Sequence, residues 1–291
     1  MLSVDGLVKA PVINDQPIKS APGKKRKERE AEATEKLASA AEAAKEEAAK
    51  AAEAPVVDAN AFYAVLESRR SVRIFTQDPV PEDTMRRCME AALKAPTSSN
   101  LQTWEIHWVR SSEKKRLLIE ACLGQPAAAT AQELVVFVAR PDLWKRNNGW
   151  MLDHLQSSPE TPGKALQYFK QITRIVYTQG PWSLFRPFKW TWFTLRGMKK
   201  PTPREPIHAG QMRIWAHKTT ALAAQNFMLA ARAEGFDSCP MEGLDSYRVK
   251  RLLGLPRAAG ISMAISVGKR AEGGVYGSRF RFDSSHFIHE H

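Results

Sequence analysis

Apolar positions spaced for one face of a helix recur through most of the chain. Residues Asn60 to Ser68 predict a first helix, and Pro81 opens a second with four apolar positions at i, i+3, i+4 and i+7, namely Met85, Cys88, Met89 and Ala92. A third is predicted from Ser112 to Leu123. The longest runs from Gln211 to Glu234, with Gly235 as the residue that ends it. Amphipathic helices of this kind pack on a core.

Three runs rich in β-branched and aromatic residues predict strands between these helices. They are Trp104 to Arg110, Glu133 to Ala139 and Ile261 to Val267. Helices and strands therefore interleave, which indicates an α+β or α/β sandwich. No internal repeat is visible.

The N-terminal part of the chain has a different composition. From Lys24 to Ala54 it consists almost entirely of Ala, Glu, Lys and Arg, and Leu37 is the one large apolar residue. We expect residues 1–57 to form a low-complexity extension, largely disordered or a solvated helix, and residues 58–291 to form the folded domain. A basic arm for nucleic acid at Lys24 to Lys27 is disfavoured by the acidic residues that follow.

Composition then excludes several classes of protein. Three cysteines in 291 residues are too few for a disulfide framework, so we expect a reducing, cytoplasmic location. Residues 1–16 carry acidic side chains and lack the pattern of a secretory signal. No window has the 18 or more apolar residues of a transmembrane helix.

The net charge of +12 is distributed unevenly along the chain. Residues 1–58 hold ten basic and eleven acidic side chains, so the excess belongs to the remainder. Residues 140–214 alone hold thirteen basic and four acidic side chains, together with five of the eight tryptophans. We therefore expect a basic aromatic insert at about residues 145–206.

Three separated segments carry candidate chemistry. Arg69-Arg70-Ser71-Val72-Arg73-Ile74-Phe75 follows the first predicted helix. Ala95-Pro96-Thr97-Ser98-Ser99-Asn100-Leu101-Gln102-Thr103-Trp104 connects a helix to a strand. Pro240-Met241-Glu242-Gly243 follows the longest helix. In this order and at these separations, they resemble the FMN-dependent nitroreductase family, and the resemblance runs from about Asn60 to Arg281.

The resemblance implies a fold, a cofactor and an activity. The fold is α+β, a three-layer sandwich with a central, mostly antiparallel sheet flanked by helices, in a domain-swapped homodimer. FMN lies at the subunit interface, and NADH or NADPH donates electrons. A nitro-aromatic, quinone or similar organic acceptor is reduced in a second, separate half-reaction. The hydride passes through flavin N5, so no catalytic side chain is expected.

The family's cofactor contacts carry over residue by residue. Arg69 and Ser71 match the phosphate and ribityl contacts, with Arg70 between them, and Arg73 matches the basic residue at the flavin N1/O2 edge. The candidate loop that the partner subunit contributes over the ring consists of Pro96, Thr97, Ser98 and Asn100. The candidate segment whose backbone approaches flavin N5 consists of Pro240, Met241, Glu242 and Gly243.

Two further contacts are implied less directly. Gln125 stands where family members often place an amide for the pyrimidine edge. Near the C-terminus the family's Lys-x-Arg pair becomes Gly277-Ser278-Arg279, so the lysine is missing and Arg279 or Arg281 would have to replace it. Thr103 also departs from the family's usual proline.

Alternatives remain open for the insert and for the activity. Residues 164–206 could form a lid and dimer contact, a peripheral contact with anionic membrane, or a nucleic-acid surface, of which the last is not expected. The activity could instead be dehalogenation or dehydrogenation on the same scaffold, or flavin binding without turnover at a membrane. No metal site is expected, although His286, His289 and His291 crowd the C-terminus.

Overall fold

The computed structural model describes residues 57–157, 163–179 and 184–291. By its internal contacts the chain divides into Met1–Asp58 and Ala59–His291, and all elements named below belong to the second unit. The low-complexity extension lies outside the described residues except for its last position, Val57. The disorder and the domain boundary assigned to it stay predictions.

Four strands form one sheet in the order β1–β2–β4–β3. They are β1 (Trp104–Val109), β2 (Glu133–Ala139), β3 (Asp237–Met241) and β4 (Gly260–Gly268). Each neighbouring pair is antiparallel. Residues 134–138 of β2 are all at most 1% exposed, because the strand is central and covered on both faces.

Ten α-helices surround the sheet in the described part of the chain. They are α1 (Ala59–Ser68), α2 (Glu82–Leu93), α3 (Ser112–Ala121), α4 (Pro126–Ala129), α5 (Trp144–Ser157), α6 (Gly163–Gln167), α7 (Thr173–Tyr177), α8 (Arg186–Gly197), α9 (Ala209–Ala233) and α10 (Ser246–Leu253). A π-helical turn, Tyr168–Ile172, joins α6 to α7.

Alternation along the strands builds a separate core on each face. On one face Phe137 of β2 packs with Met85 of α2 and Phe227 of α9. On the other face the neighbouring Val136 lies in a cluster with Leu118 of α3 and Val249 of α10. Since successive strand residues point to opposite faces, the sheet is the middle of three layers. The predicted α+β sandwich with an antiparallel sheet is confirmed.

Element ends agree closely with the sequence-based expectations. The Glu133–Ala139 strand is found as predicted, and the predicted Ile261–Val267 strand is longer by one residue at each end. The third predicted helix ends at Ala121, two residues early, because Leu123 has a φ of 62°. Gly235, with a φ of 80°, follows α9 as expected.

The basic aromatic insert forms a helical excursion between β2 and α9. Its Phe169 and Tyr177 pack in a third apolar cluster with Trp144, with Leu101 of the loop before β1 and with Met212 of α9. Within the described ranges, no helix is long and apolar enough to cross a membrane. The insert is therefore partly a packed structure, and its outward surface is considered below.

All three cysteines are buried as free thiols. Burial raises the pKa of Cys88 and of Cys122 to about 11. No group of three or more His, Cys, Asp or Glu side chains that could hold a metal ion occurs in the described part of the chain.

Candidate functional site

Backbone hydrogen bonds fix the predicted arginine segment against β3. Ser71 forms a parallel bridge with Ser238, and the Val72 N–H donates to the Ser238 carbonyl at 3.1 Å. The Arg73 N–H donates to the Gly274 carbonyl at 2.7 Å. A Cβ at Gly274 would lie 2.5 Å from the carbonyl oxygen of Ile74, so only glycine allows this close approach.

Three arginines converge beside this segment. Burial lowers the pKa of Arg69, and the nearby charges of Arg279 and Arg281 lower it further. No carboxylate pairs with any of the three among the residues that the structure describes. Uncompensated guanidinium groups in one place favour a bound anion, and a phosphate suits their forked donors.

The C-terminal segment is held to the arginine segment by hydrogen bonds to backbone carbonyls. Arg279 donates to the carbonyls of Glu67 and Arg69, and Arg70 donates to that of Gly277 at 3.0 Å. Arg281 donates to its neighbour Phe280 at 2.8 Å. The structure therefore brings both candidate replacements for the missing lysine to Arg69.

Arg73 lies at the other end of the segment. Its guanidinium carbon is 5.0 Å from the centre of the Tyr276 ring, and its Nη1 donates to the Ser71 carbonyl at 3.5 Å. Arg73 also acts on β3, where burial raises the pKa of Cys239 while Arg73 and Arg69 oppose that shift. The two arginines thus lie near the same strand residue.

The segment from Pro240 to Gly243 ends β3 in a tight turn. The Leu244 N–H donates to the Glu242 carbonyl at 2.9 Å, and the Gln125 side chain donates from Nε2 to the Gly243 carbonyl at 2.7 Å. Among the described residues, no acceptor is hydrogen-bonded to the N–H groups of Glu242 and Gly243. Two adjacent backbone donors are therefore available to a ligand.

The loop of Pro96, Thr97, Ser98 and Asn100 has a strained backbone. Ser99, Asn100 and Gln102 have φ values of 54°, 48° and 45°, which non-glycine residues rarely adopt. Local strain of this kind persists where the surroundings hold it, and it is typical of functional sites.

The helical excursion supplies the contacts that hold this loop. The Tyr177 hydroxyl donates to the Ser98 carbonyl at 3.2 Å, and the hydroxyls of Ser99 and Tyr168 are 2.8 Å apart. The Asn147 side chain donates to the Leu101 carbonyl at 2.7 Å. The insert therefore sets the conformation of the loop that the sequence predicted to cover a flavin.

The predicted site residues form two groups at opposite edges of the sheet. One group lies at the β3 side and consists of Arg69 to Arg73, Gln125, Pro240 to Gly243, Arg279 and Arg281. The other group is the loop from Pro96 to Asn100, which leads into β1. Three inter-strand spacings separate β1 from β3, about 14 Å. One chain therefore does not bring the two groups together.

Several residues of these two regions were not anticipated from sequence. Tyr276 under Arg73 and the tyrosines that hold the loop make contacts between distant parts of the chain. A cavity of about 510 Å³ also lies beside the loop, bordered by residues that include Asn100, Gln102, Arg146, Trp150 and Met151. The many aromatic residues of the insert indicated that it would make contacts, but they did not indicate that its tyrosines would bind the loop at Ser98 and Ser99.

Comparisons with known proteins agree with this architecture. Residues 66–269 match a model described as the nitroreductase family. A protein named NADH dehydrogenase from Thermus thermophilus is 33% identical over 222 residues, which cover 76% of this chain and 90% of that protein.

Solved structures give the same fold. The crystal structure of YdfN from Bacillus subtilis has a TM-score of 0.65 at 21% identity and covers 80% of this chain and 100% of its own. A structure from Exiguobacterium sibiricum in complex with FMN has a TM-score of 0.56 at 20% identity, with coverage of 78% and 95% respectively.

Proposed function

The chain belongs to the nitroreductase family, and from this premise we propose that it is an FMN-dependent NAD(P)H oxidoreductase that reduces a small organic acceptor. The observation that carries the proposal is the cluster of Arg69, Arg279 and Arg281, none of which has a carboxylate partner among the described residues. The FMN complex of a protein with the same fold supports it, as do relatives named NAD(P)H nitroreductases.

The residues present fit FMN. Arg69, Arg279 and Arg281 would hold the phosphate, with the Ser71 hydroxyl next to them on the ribityl chain. Arg73 would place positive charge at the pyrimidine edge, and Gln125 would supply an amide there. When bound, FMN supplies two-electron redox chemistry.

The protein's own role is orientation and electrostatics. The free N–H groups of Glu242 and Gly243 would donate to the ring, and the turn is fixed by the 2.7 Å hydrogen bond from Gln125. Positive charge from Arg73 favours an anionic form of a ring beside it. The loop from Pro96 to Asn100 would cover one face and exclude water.

A homodimer would complete the site. The arginine cluster and the loop lie at opposite edges of one sheet, so a second copy is needed to put one loop over the other copy's cluster. The C-terminal segment exposes Phe280, Phe282, Phe287 and Ile288, each about two-thirds exposed. Side chains of this kind are typical of a segment that packs on a partner.

The decisive experiment is flavin uptake followed by reduction. Purified protein should bind FMN, and NADH or NADPH should bleach the flavin absorbance without oxygen. Reoxidation by an added nitro-aromatic compound or quinone should follow with ping-pong kinetics. Protein that cannot take up FMN would overturn the proposal, and a flavin that NADH and NADPH leave oxidised would indicate a binding protein without this turnover.

The acceptor class is tested by the same reduced protein. A screen with nitro-aromatics, quinones, halogenated aromatics and enones separates reduction of the acceptor from the alternative dehalogenase activity. The alternative dehydrogenase activity is tested with oxidised protein, whose flavin a dehydrogenase substrate would bleach without NADH or NADPH. Reoxidation by nitro-aromatics or quinones supports the proposal. Release of halide from a halogenated aromatic would favour the dehalogenase.

The outer face of α8 favours a peripheral contact with the inner face of an anionic membrane, consistent with the predicted cytoplasmic location. Phe188, Trp192 and Leu195 follow helical spacing and are 76%, 43% and 56% exposed, whereas Phe193 on the opposite face is 9% exposed. Residues 161–204 contain nine Lys and Arg and no acidic side chain. Such a surface suits acidic headgroups.

Vesicle sedimentation tests this contact. The wild-type protein should sediment with vesicles of phosphatidylglycerol and phosphatidylcholine at low salt and not with phosphatidylcholine alone. A triple Phe188→Ser, Trp192→Ser, Leu195→Ser variant should stay in solution, while a Leu123→Ser control, at a position after α3 that is 71% exposed, should still sediment. Wild-type protein that ignores the anionic vesicles would rule the contact out.

A further inference from the structure

A second basic cavity, separate from the candidate flavin site, lies between α9, α10 and the start of β4. It has a volume of about 420 Å³ and is lined by Arg213, His217, Ser246, Lys250 and Arg257 together with residues 259–261. We propose that this cavity binds the dianion of a phosphate monoester. The proposal concerns binding alone, so it does not rest on the oxidoreductase function.

Three cations reach the cavity from three parts of the fold. Arg213 comes from α9, Lys250 from α10, and Arg257 from the turn before β4. None of the three pairs with a carboxylate in the described part of the chain, and Lys250 donates only to the Arg257 carbonyl at 3.5 Å. Among the residues that the structure describes, no acidic side chain lines the cavity.

Another cation of α10, Arg248, is paired with carboxylates. Arg248 of α10 pairs with Glu120 and, at 3.2 Å, with Asp245, so its charge is neutralised within the fold. Lys250 lies two residues further along and lines the basic cavity instead. The charge of Lys250 therefore adds to those of Arg213 and Arg257 around the cavity, where like charges repel until an anion enters.

His217 adds a neutral hydrogen-bonding group to this wall. Its Nδ1 lies 2.7 Å from the Ser262 hydroxyl, and its pKa is lowered by burial and then by Lys250 and Arg213. A Cβ at Gly260 would lie 2.4 Å from His217 Nε2, so the glycine makes room for the ring. The imidazole is thus held in place within range of two of the cations.

The chemistry of the wall selects the class of ligand. Two guanidinium forks and an ammonium group match the several oxygens of a phosphate dianion better than one carboxylate. A volume of about 420 Å³ is that of a small-molecule site and leaves room for the esterified group. The cavity also lies close to the candidate flavin turn. Ser246, which lines the cavity, follows Gly243 of that turn by three residues, so their Cα atoms are at most about 11 Å apart.

The test uses FMN-loaded protein at low ionic strength. The flavin phosphate then occupies the cluster of Arg69, Arg279 and Arg281 and leaves the basic cavity as the site under test. Orthophosphate is titrated while the His217 C2–H resonance is followed by NMR, with the assignment made from a His217→Asn variant. Phosphate should shift this resonance and raise the pKa of His217. Arg257→Gln and Lys250→Gln should each weaken binding by about tenfold, the loss of one charge-assisted contact.

A charge-matched control is available on the same helix. Arg251→Gln removes a cation that lies over the Tyr247 ring and does not line the cavity, so phosphate binding should be unchanged. Two further ligands distinguish a nucleotide site from a site for free phosphate. A nucleotide site should bind adenosine 2′-monophosphate more tightly than orthophosphate and should not bind adenosine. A His217 resonance that phosphate leaves unmoved, or binding equal in wild type and Arg257→Gln, would overturn the proposal.

Discussion

The Gln125 side chain donates to the backbone carbonyl of Gly243 across 118 residues of chain, at 2.7 Å. This contact ties the start of α4 to the turn that ends β3. It fixes the conformation of the two backbone N–H groups that a flavin would meet. The amide thus has a structural task in addition to any contact with the ring.

Replacement of Gln125 by leucine should loosen this turn. We expect Gln125→Leu to lower FMN affinity by about fivefold, because one hydrogen bond of about 1 kcal/mol is lost. Titration of flavin fluorescence measures the change. Gln156→Leu, at an exposed position of α5, is the control. Equal affinities in the two variants would show that the contact does not organise the site.

The cluster of Arg69, Arg279 and Arg281 should lower the stability of FMN-free protein and raise the affinity for FMN. We expect Arg281→Gln to weaken FMN binding by about tenfold or more and to raise the Tm of FMN-free protein, since repulsion with Arg69 is relieved. Calorimetry of both forms measures this split. Arg116→Gln, exposed on α3, should change neither property. A lower Tm without FMN would instead assign Arg281 to the fold.

A site shared between two subunits can be tested by complementation. Arg69→Ala and Asn100→Ala should each impair FMN binding as homodimers. In a mixed dimer one site carries both changes and the other carries neither, so about half of the wild-type binding should return. Tandem affinity tags isolate the mixed species. Binding that stays as low as in the homodimers would mean that Arg69 and Asn100 of one and the same chain form each site.

Lys189 should give stability a distinctive pH dependence. Burial lowers its pKa from 10.5 to about 8, and its Nζ donates to the Val176 carbonyl at 3.1 Å. Between these values the unfolded chain holds a proton that the folded chain has lost, so stability rises with pH across that window. Below about pH 8 the cost of the buried charge is fully present.

The comparison that isolates this effect is between wild type and Lys189→Met. The variant should be the more stable at pH 7, and its advantage should shrink by pH 10, as followed by thermal unfolding. Lys199→Met, at an exposed position beyond α8, should show no such trend. A constant difference between Lys189→Met and wild type across this range would contradict the burial of Lys189.

Local sequence was sufficient for about half of the helices and strands in the described part of the chain, namely α1, α2, α3, α9, β1, β2 and β4. A run such as Glu133–Ala139 has high β-propensity along its whole length and no competing helical spacing, so its bounds are visible without the fold. The assignment of Arg69, Ser71 and Arg73 to a flavin phosphate and ring came instead from the resemblance to the nitroreductase family, and it stays a prediction. Helix α10 was missed because eight residues capped by Asp245 give too short a periodic signal.

Contacts between distant residues could not be foreseen in the same way. Nothing local indicates that Tyr276 underlies Arg73, or that Tyr177 holds the Ser98 carbonyl. The order of strands, which puts the loop at Asn100 and the cluster at Arg69 on opposite edges, is also a property of tertiary packing. Sequence therefore identified candidate residues, whereas their grouping required the fold.

The three buried cysteines give the protein a practical property. Thiolates are the reactive form of cysteine, and burial keeps Cys88 and Cys122 protonated at neutral pH, with the Cys239 pKa raised as well. A thiol introduced by Leu195→Cys would therefore be the only one open to a maleimide dye. An environment-sensitive fluorophore at that position would report directly what the outer face of α8 meets.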